Sequence, residues 1–195
     1  MQVINNSDFW FPSCESEYYH KDNKFIFKTK HGIPGKCPND DKPIYRNGEL
    51  WCTHKERCET KSPNLLVGNY IWSADIEIDW KQIPDSPSFL QIHWEPESSI
   101  DNFIKLGVNK YGYFDINGSP KFDCDFITSF NLKTKIECQE SYTNVDFFSN
   151  NQYIGSYRKL TTELPFIKFG VYNINSSSDI TQTYNNVKVE YNNGA

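Results

Sequence analysis

The feature that most restricts this chain is a two-residue alternation of apolar and polar side chains, held in short runs between turn signals. A helix needs apolar residues about every 3.6 positions over several turns, and no long segment keeps that period. A strand sends successive side chains to opposite faces, which is what alternation supplies. The runs that read as strands are Phe25–Lys30, Leu50–Lys61, Tyr70–Trp80, Ser88–Trp94, Ile104–Val108, Tyr111–Ile116, Phe122–Thr128, Lys133–Gln139, Asp146–Phe148, Tyr153–Lys159, Phe166–Asn173 and Asn186–Tyr191. Asn47-Gly48, Asn117-Gly118 and Asn150-Asn151 are tight-turn signals, because Asn and Gly tolerate positive φ. His31–Asp41 reads as a loop, Ser62–Asn69 as a link, and Pro84–Pro87 as a break. So many short strands imply two stacked sheets or a barrel.

Length and composition agree with a packed all-β domain. The 195 residues suit one domain spanning residues 1–195, with no internal repeat and no linker long enough to divide it. Mean hydropathy is low, at −0.67. Disorder is nevertheless excluded by fourteen Phe, twelve Tyr and five Trp, which supply a core. The net charge of −5 argues against nucleic acid as a partner, although it says nothing of local basic patches. No apolar run reaches transmembrane length, so no membrane partner is expected.

Six cysteines, Cys14, Cys37, Cys52, Cys58, Cys124 and Cys138, lack the C-x-x-C spacing of zinc or redox sites. They read either as disulfides in an oxidising, extracellular setting or as buried thiols. Cys124 and Cys138 flank an expected turn near Asn131, which would pair them across a hairpin and leave the other four to pair together. Met1 to Pro12 has neither the basic start nor the apolar stretch of a signal peptide. The expected location is therefore extracellular, or a virion surface, through a signal already removed or another route.

Three segments put chemically capable side chains on one face. In Arg57-Cys58-Glu59-Thr60-Lys61, the residues Arg57, Glu59 and Lys61 share a face. In Phe89-Leu90-Gln91-Ile92-His93-Trp94, Gln91 and His93 share one and Leu90, Ile92 and Trp94 the other. In Phe166-Ile167-Lys168-Phe169-Gly170-Val171-Tyr172, Lys168, Gly170 and Tyr172 oppose Ile167, Phe169 and Val171. Solvated ion pairs would give the first pattern, and a surface Gln and His the second. A mid-strand Gly marks either a bend or a close approach, often of a ligand.

Taken in order, R-x-E-x-K, Q-I-H and K-x-G-x-Y resemble the motifs of jelly-roll polysaccharide lyases. The alginate lyases with R-T-E-L-R, Q-I-H and Y-F-K-A-G-x-Y motifs are the most similar in wording, and glucuronan lyases and heparin lyase I are similar in architecture. The resemblance spans about residues 50–191. Phe166 stands where the family has its first Tyr of the third motif, and Lys61 where it has the second Arg of the first. The resemblance implies a β-jelly-roll, concanavalin-like sandwich of two curved antiparallel sheets, with these strands adjacent on the concave face.

It also implies β-elimination on a uronate polymer, an acidic polysaccharide. The expected state is a monomer without a cofactor, and no metal ligand is nominated. The reaction removes the C5 proton and expels the 4-linked oxygen. The resemblance puts Arg57 and Gln91 on the uronate carboxylate, where they stabilise developing negative charge. Glu59 would orient Arg57, and Lys168 and Lys61 would bind substrate, with Lys105 and Arg158 adding to a basic groove. Tyr172 would donate to the leaving oxygen; its ordinary pKa of about 10 must fall if it is also the base. His93 would be base or carboxylate neutraliser. Syn elimination uses Tyr172 for both transfers, and anti elimination uses His93 as base. Three other readings compete. Asp75-Ile76-Glu77-Ile78-Asp79 is similar to the acidic strand of sandwich glycoside hydrolases, but the last acid of that pattern falls on Gln82. A lectin-like module or a plain structural protein would need no convergence of Tyr172 and His93.

Overall fold

The computed structural model describes residues 3–10, 18–34, 42–52, 55–80, 83, 85–94, 103–125, 128–174 and 178–191. Among these residues, fifteen strands form two large antiparallel sheets and a small hairpin. The first sheet has seven strands, in the order β1 (Tyr18–Lys21), β2 (Lys24–Thr29), β15 (Ile180–Tyr191), β6 (Gly68–Asp79), β11 (Ser129–Cys138), β12 (Tyr142–Ser149) and β13 (Gln152–Leu160). The second has six: β10 (Ser119–Asp125), β9 (Tyr113–Ile116), β8 (Phe103–Val108), β7 (Asp85–Trp94), β14 (Pro165–Ile174) and β5 (Lys55–Lys61). The hairpin is β3 (Ile44–Arg46) with β4 (Glu49–Cys52). This is the all-β architecture that the alternation predicts, and of its two options it is the stacked sheets rather than the barrel.

The core is the layer between the sheets. Tyr70, Trp72, Ala74 and Ile76 of β6 and Leu132 and Ile136 of β11 are buried on one side. Leu90, Ile92 and Trp94 of β7 and Ile167, Phe169 and Val171 of β14 are buried on the other. Phe169 is at the centre of an aromatic cluster. Its ring centroid lies 5.0 Å from Tyr184, 5.2 Å from Phe25, 5.3 Å from Phe9, 5.4 Å from Trp72 and 5.7 Å from Phe27. Tilted and edge-to-face pairs at these distances add to the gain from burial.

Asn47-Gly48, Asn117-Gly118 and Asn150-Asn151 all have positive φ at both positions, as type I′ hairpin turns require. Elsewhere the expected boundaries shift. Leu50–Lys61 is divided between β4 and β5, which join different sheets. The strand expected from Ser88 starts earlier, at Asp85, so the later part of the expected Pro84–Pro87 break lies within β7, while Pro84 lies outside the described residues. Pro87 falls where β7 slips register against β14, so its missing N–H costs no ladder bond. The last strand starts at Ile180, earlier than expected, and β1 has no counterpart in the sequence reading.

The cysteine pairing is also corrected. Cys138 is a free, buried thiol. No turn forms at Asn131, because β11 runs straight through it. Cys124 lies on β10, whose ladder partner is β9, whereas Cys138 lies on β11 between β6 and β12 in the other sheet. Cys58 is disulfide-bonded. The side chains of Cys14, Cys37, Cys52 and Cys124 lie outside the described residues.

Burial first, and Glu137 second, push the Cys138 thiol up to about 12, so it stays protonated and unreactive at neutral pH. Native protein treated with iodoacetamide at pH 8 should leave the Cys138 peptide unmodified, and denatured protein should label it fully. Peptide mass mapping under non-reducing conditions checks this, and a Cys138 found in a disulfide would refute it.

Candidate active site

The three segments singled out in the sequence are adjacent strands of the six-stranded sheet, in the order β7, β14, β5. Lys168 of β14 is opposite Lys61 on one side and Gln91 on the other, and Gln91 is opposite Lys105 of β8. Tyr172 is opposite Arg57 and Ser88, Gly170 opposite Glu59, and Phe166 opposite His93. The ladder thus brings together every site residue that the sequence nominates on these strands. Arg57, Lys61 and Tyr172 form a partly exposed rim. Glu59, Gln91, His93 and Lys168 form a floor that is almost wholly buried.

Glu59 organises that floor. It is 1% exposed, and a buried carboxylate is costly unless it is paired and hydrogen-bonded. Gln91 Nε2 donates to Glu59 Oε1 at 2.6 Å, Lys168 Nζ lies 3.5 Å from Oε2, and Arg57 Nη1 lies 3.9 Å from Oε2. Glu59 was expected to orient Arg57; its shorter contacts are to Gln91 and Lys168. Lys168 is only 3% exposed, so it is not a solvated surface lysine.

A direction runs along this chain. An ionised carboxylate only accepts, so the Gln91 amide must give its N–H to Glu59 and turn its oxygen to His93. His93 Nε2 lies 2.6 Å from that oxygen and must therefore donate to it. In the neutral ring the lone pair is then on Nδ1. The ring plane is held between Phe166 and Phe103, at 5.3 and 5.1 Å with 18° between planes in each case. Phe166 supports the imidazole here.

Gly170 has a different role from the one its position suggests. Its φ is +135°, and a Cβ there would lie 2.3 Å from the Cys58 carbonyl oxygen and 2.8 Å from Glu59 Cα. The close approach is by the backbone of β5. The register of β14 against β7 also shifts between Phe169 and Tyr172. Tyr184, reaching across from β15 in the opposite sheet, holds this irregularity. Its hydroxyl lies 2.8 Å from the Phe89 carbonyl, 3.2 Å from the Gly170 carbonyl and 2.8 Å from the Gln182 side chain. Burial, above all, raises its pKa well above the ordinary value, so it remains a donor.

Two sequence readings are displaced. Arg158 is remote from the site: it lies on β13 of the seven-stranded sheet, opposite Asn144 and 4.2 Å over the Tyr142 ring. The acidic strand is β6 of the same sheet, where Asp75 and Glu77 alternate with buried Ala74, Ile76 and Ile78 and so face outward. Asp75 accepts from Asn186 and Asn131, which hold its pKa down. The sequence reading missed Phe103 and Tyr184. The signal for Tyr184 was present, since Ile180, Gln182 and Tyr184 alternate inward.

No protein-family model matches the sequence, and no curated protein matches it. Solved structures define the class instead: a two-sheet jelly roll. Its structural neighbours are mostly alginate lyases of polysaccharide lyase family 7. Alginate lyase AlgAT5 of that family superposes with a TM-score of 0.58 at 14% identity, over 92% of this chain and 84% of its own. An alginate lyase from Alteromonas sp. 272 gives 0.55 at 14% identity, over 99% and 100%. A sialidase gives 0.56 at 11% identity, over 95% of this chain but only 17% of its own. The sandwich thus serves proteins named for different chemistries, so the side chains must carry the function.

Tyr184→Phe removes the only proton the phenol offers to two buried carbonyls. Leaving buried acceptors unsatisfied costs about 1–3 kcal/mol. Each kcal/mol lowers Tm by about 2–4 °C at this chain length. Gly170→Ala should cost at least about 1 kcal/mol, through both its φ and its clash with β5. Thermal unfolding of both variants checks this, and an unchanged Tm in either would show that the strand irregularity relaxes freely.

Proposed function

We propose that this chain is a polysaccharide lyase that cleaves a 4-linked uronate polymer by β-elimination. The observation that carries the reading is the His93–Gln91–Glu59 chain in register with Lys168, beside the Tyr172–Arg57 pair. The three motifs could share a sheet without these contacts; a solvated strand or a lectin face needs none of them.

The C5 proton of a uronate is weakly acidic because its carboxylate is negative. Arg57, with the second N–H of Gln91, pairs with that carboxylate and stabilises the enolate charge that develops on it. Fixed donors in a site poor in water need no reorganisation as charge moves. A base removes the C5 proton, the electron pair forms the C4=C5 bond, and the C4–O bond breaks. Tyr172 protonates the departing oxygen. In a syn reaction Tyr172 is also the base; in an anti reaction the base is His93. Glu59 keeps Gln91 and His93 in orientation and balances Lys168. The chain acts as a one-domain monomer on a polymer outside the cell.

Incubation with alginate, glucuronan and heparin-type polymers should produce ultraviolet absorbance from the C4=C5 bond with at least one of them. Tyr172→Phe keeps the ring and should lower turnover by at least about 10²–10⁴-fold. His93→Ala should also cripple turnover. A protein that binds these polymers without producing absorbance is a carbohydrate-binding module, and a folded Tyr172→Phe with near wild-type turnover gives the proton transfer to another group.

Substrate attraction should depend on ionic strength, because Arg57 and Lys61 are on the partly exposed rim where salt screens them. Initial rates at fixed pH should show KM for the polymer rising from low to physiological salt while kcat changes little. A KM indifferent to salt would mean that stacking dominates binding.

A further inference from the structure

Trp10 lies outside every named strand, yet its backbone is fixed to the edge of the site sheet. Trp10 N–H donates to the Lys61 carbonyl at 3.0 Å, Lys61 N–H donates to the Trp10 carbonyl at 2.9 Å, and Thr60 Oγ1 donates to the same carbonyl at 2.7 Å. Alternation decides where the side chains go. Phe9 is 4% exposed and packs edge-to-face on Phe169, so its neighbour Trp10 is turned to the opposite face, the one that carries the site. There the indole is 56% exposed.

Single exposed apolar residues are ordinary, so exposure alone assigns nothing. Trp10 differs in its surroundings. The Lys61 ammonium lies 4.7 Å from the indole centroid and 4.9 Å from the Phe166 centroid, and Phe166 stacks on His93. Trp10, Lys61, Phe166 and His93 therefore form one continuous row that runs across the strands. An indole on fixed backbone offers a flat apolar platform for a pyranose face, at little entropic cost. A neighbouring ammonium matches the carboxylate that every uronate carries.

We propose that Trp10 and Lys61 form a sugar-binding subsite for the uronate polymer, remote from the bond that is cleaved. This rests on the lyase reading above. Trp10 is opposite Lys61, Lys61 opposite Lys168, and Lys168 opposite Gln91. Adjacent strands are about 4.8 Å apart, so Trp10 lies roughly three spacings, ~14 Å, from Gln91. A 4-linked pyranose unit is comparable in length to one spacing. A polymer lying across the strands would then meet Trp10 two to three units from the reacting uronate.

The experiment uses oligomers, three to six units long, of whichever polymer the wild type cleaves, followed by C4=C5 absorbance. Trp10→Ala should raise KM for hexamers about 2- to 10-fold more than for trimers, the range that an aromatic contact of about 0.5–1.5 kcal/mol supplies. Trp10→Phe should recover part of this. If Trp10→Ala folds poorly, fluorescence replaces it: hexamer binding to Tyr172→Phe should change an emission component that Tyr172→Phe/Trp10→Phe lacks, and trimer binding should change it less. Kinetics that depend on length no differently from wild type, or an unchanged emission, would overturn this subsite and leave the lyase reading intact. A wild type that cleaves no uronate polymer overturns both.

Discussion

The aromatic cluster around Phe169 is the contact on which the rest of the molecule depends. It is where Phe9, Phe25, Phe27, Trp72 and Tyr184 from the opposite layer and the N-terminal segment meet the central site strand. With Phe169 locked inward, alternation leaves Lys168 and Tyr172 no choice but the other face. Tyr184 adds direction to this packing, because its hydroxyl reaches backbone carbonyls on both β7 and β14. The position of the site strands is thus set from behind, by the core.

On the site side, a single buried carboxylate has a comparable role. Glu59 is affordable in the interior only because Gln91, Lys168 and Arg57 surround it. The same demand orients the Gln91 amide and, through it, the His93 imidazole. The Phe166–His93–Phe103 stack fixes the plane of that ring while the hydrogen-bond chain fixes its rotation within the plane. The demand for partners around Glu59 therefore also fixes the orientation of the neighbouring polar side chains, since a half-satisfied network would be less stable than an apolar one.

Much of this was legible because strand period is a local property. Alternation placed Leu90, Ile92 and Trp94 inward and Gln91 and His93 outward, and the Asn-Gly turns have the φ values such turns need. What failed was non-local. The Cys124–Cys138 expectation took one strand for a hairpin, because nothing in the residues around Asn131 shows that β11 continues through it. The partners of Glu59 depend on which strands are neighbours, which period does not state. Gly170 signalled a close approach correctly in kind, but its partner was the backbone of β5. Trp10 carried no motif; its contacts to Thr60 and Lys61 across the strand edge connect it to the site.

The strand order also governs when these groups can meet. β5, β7 and β14 are separated by long stretches of chain, and β15, from the C-terminal end, sits between β2 and β6. Contacts so distant in sequence need large loop-closure entropy before they yield any gain, and folds built from them assemble slowly. A chain emerging from the ribosome therefore holds Glu59 and His93 long before the strand that joins them exists. Until β14 arrives, the acid has no lysine beside it and the imidazole no phenylalanine of that strand above it. The side-chain network of this face is therefore among the last features the chain acquires, because it waits for β14.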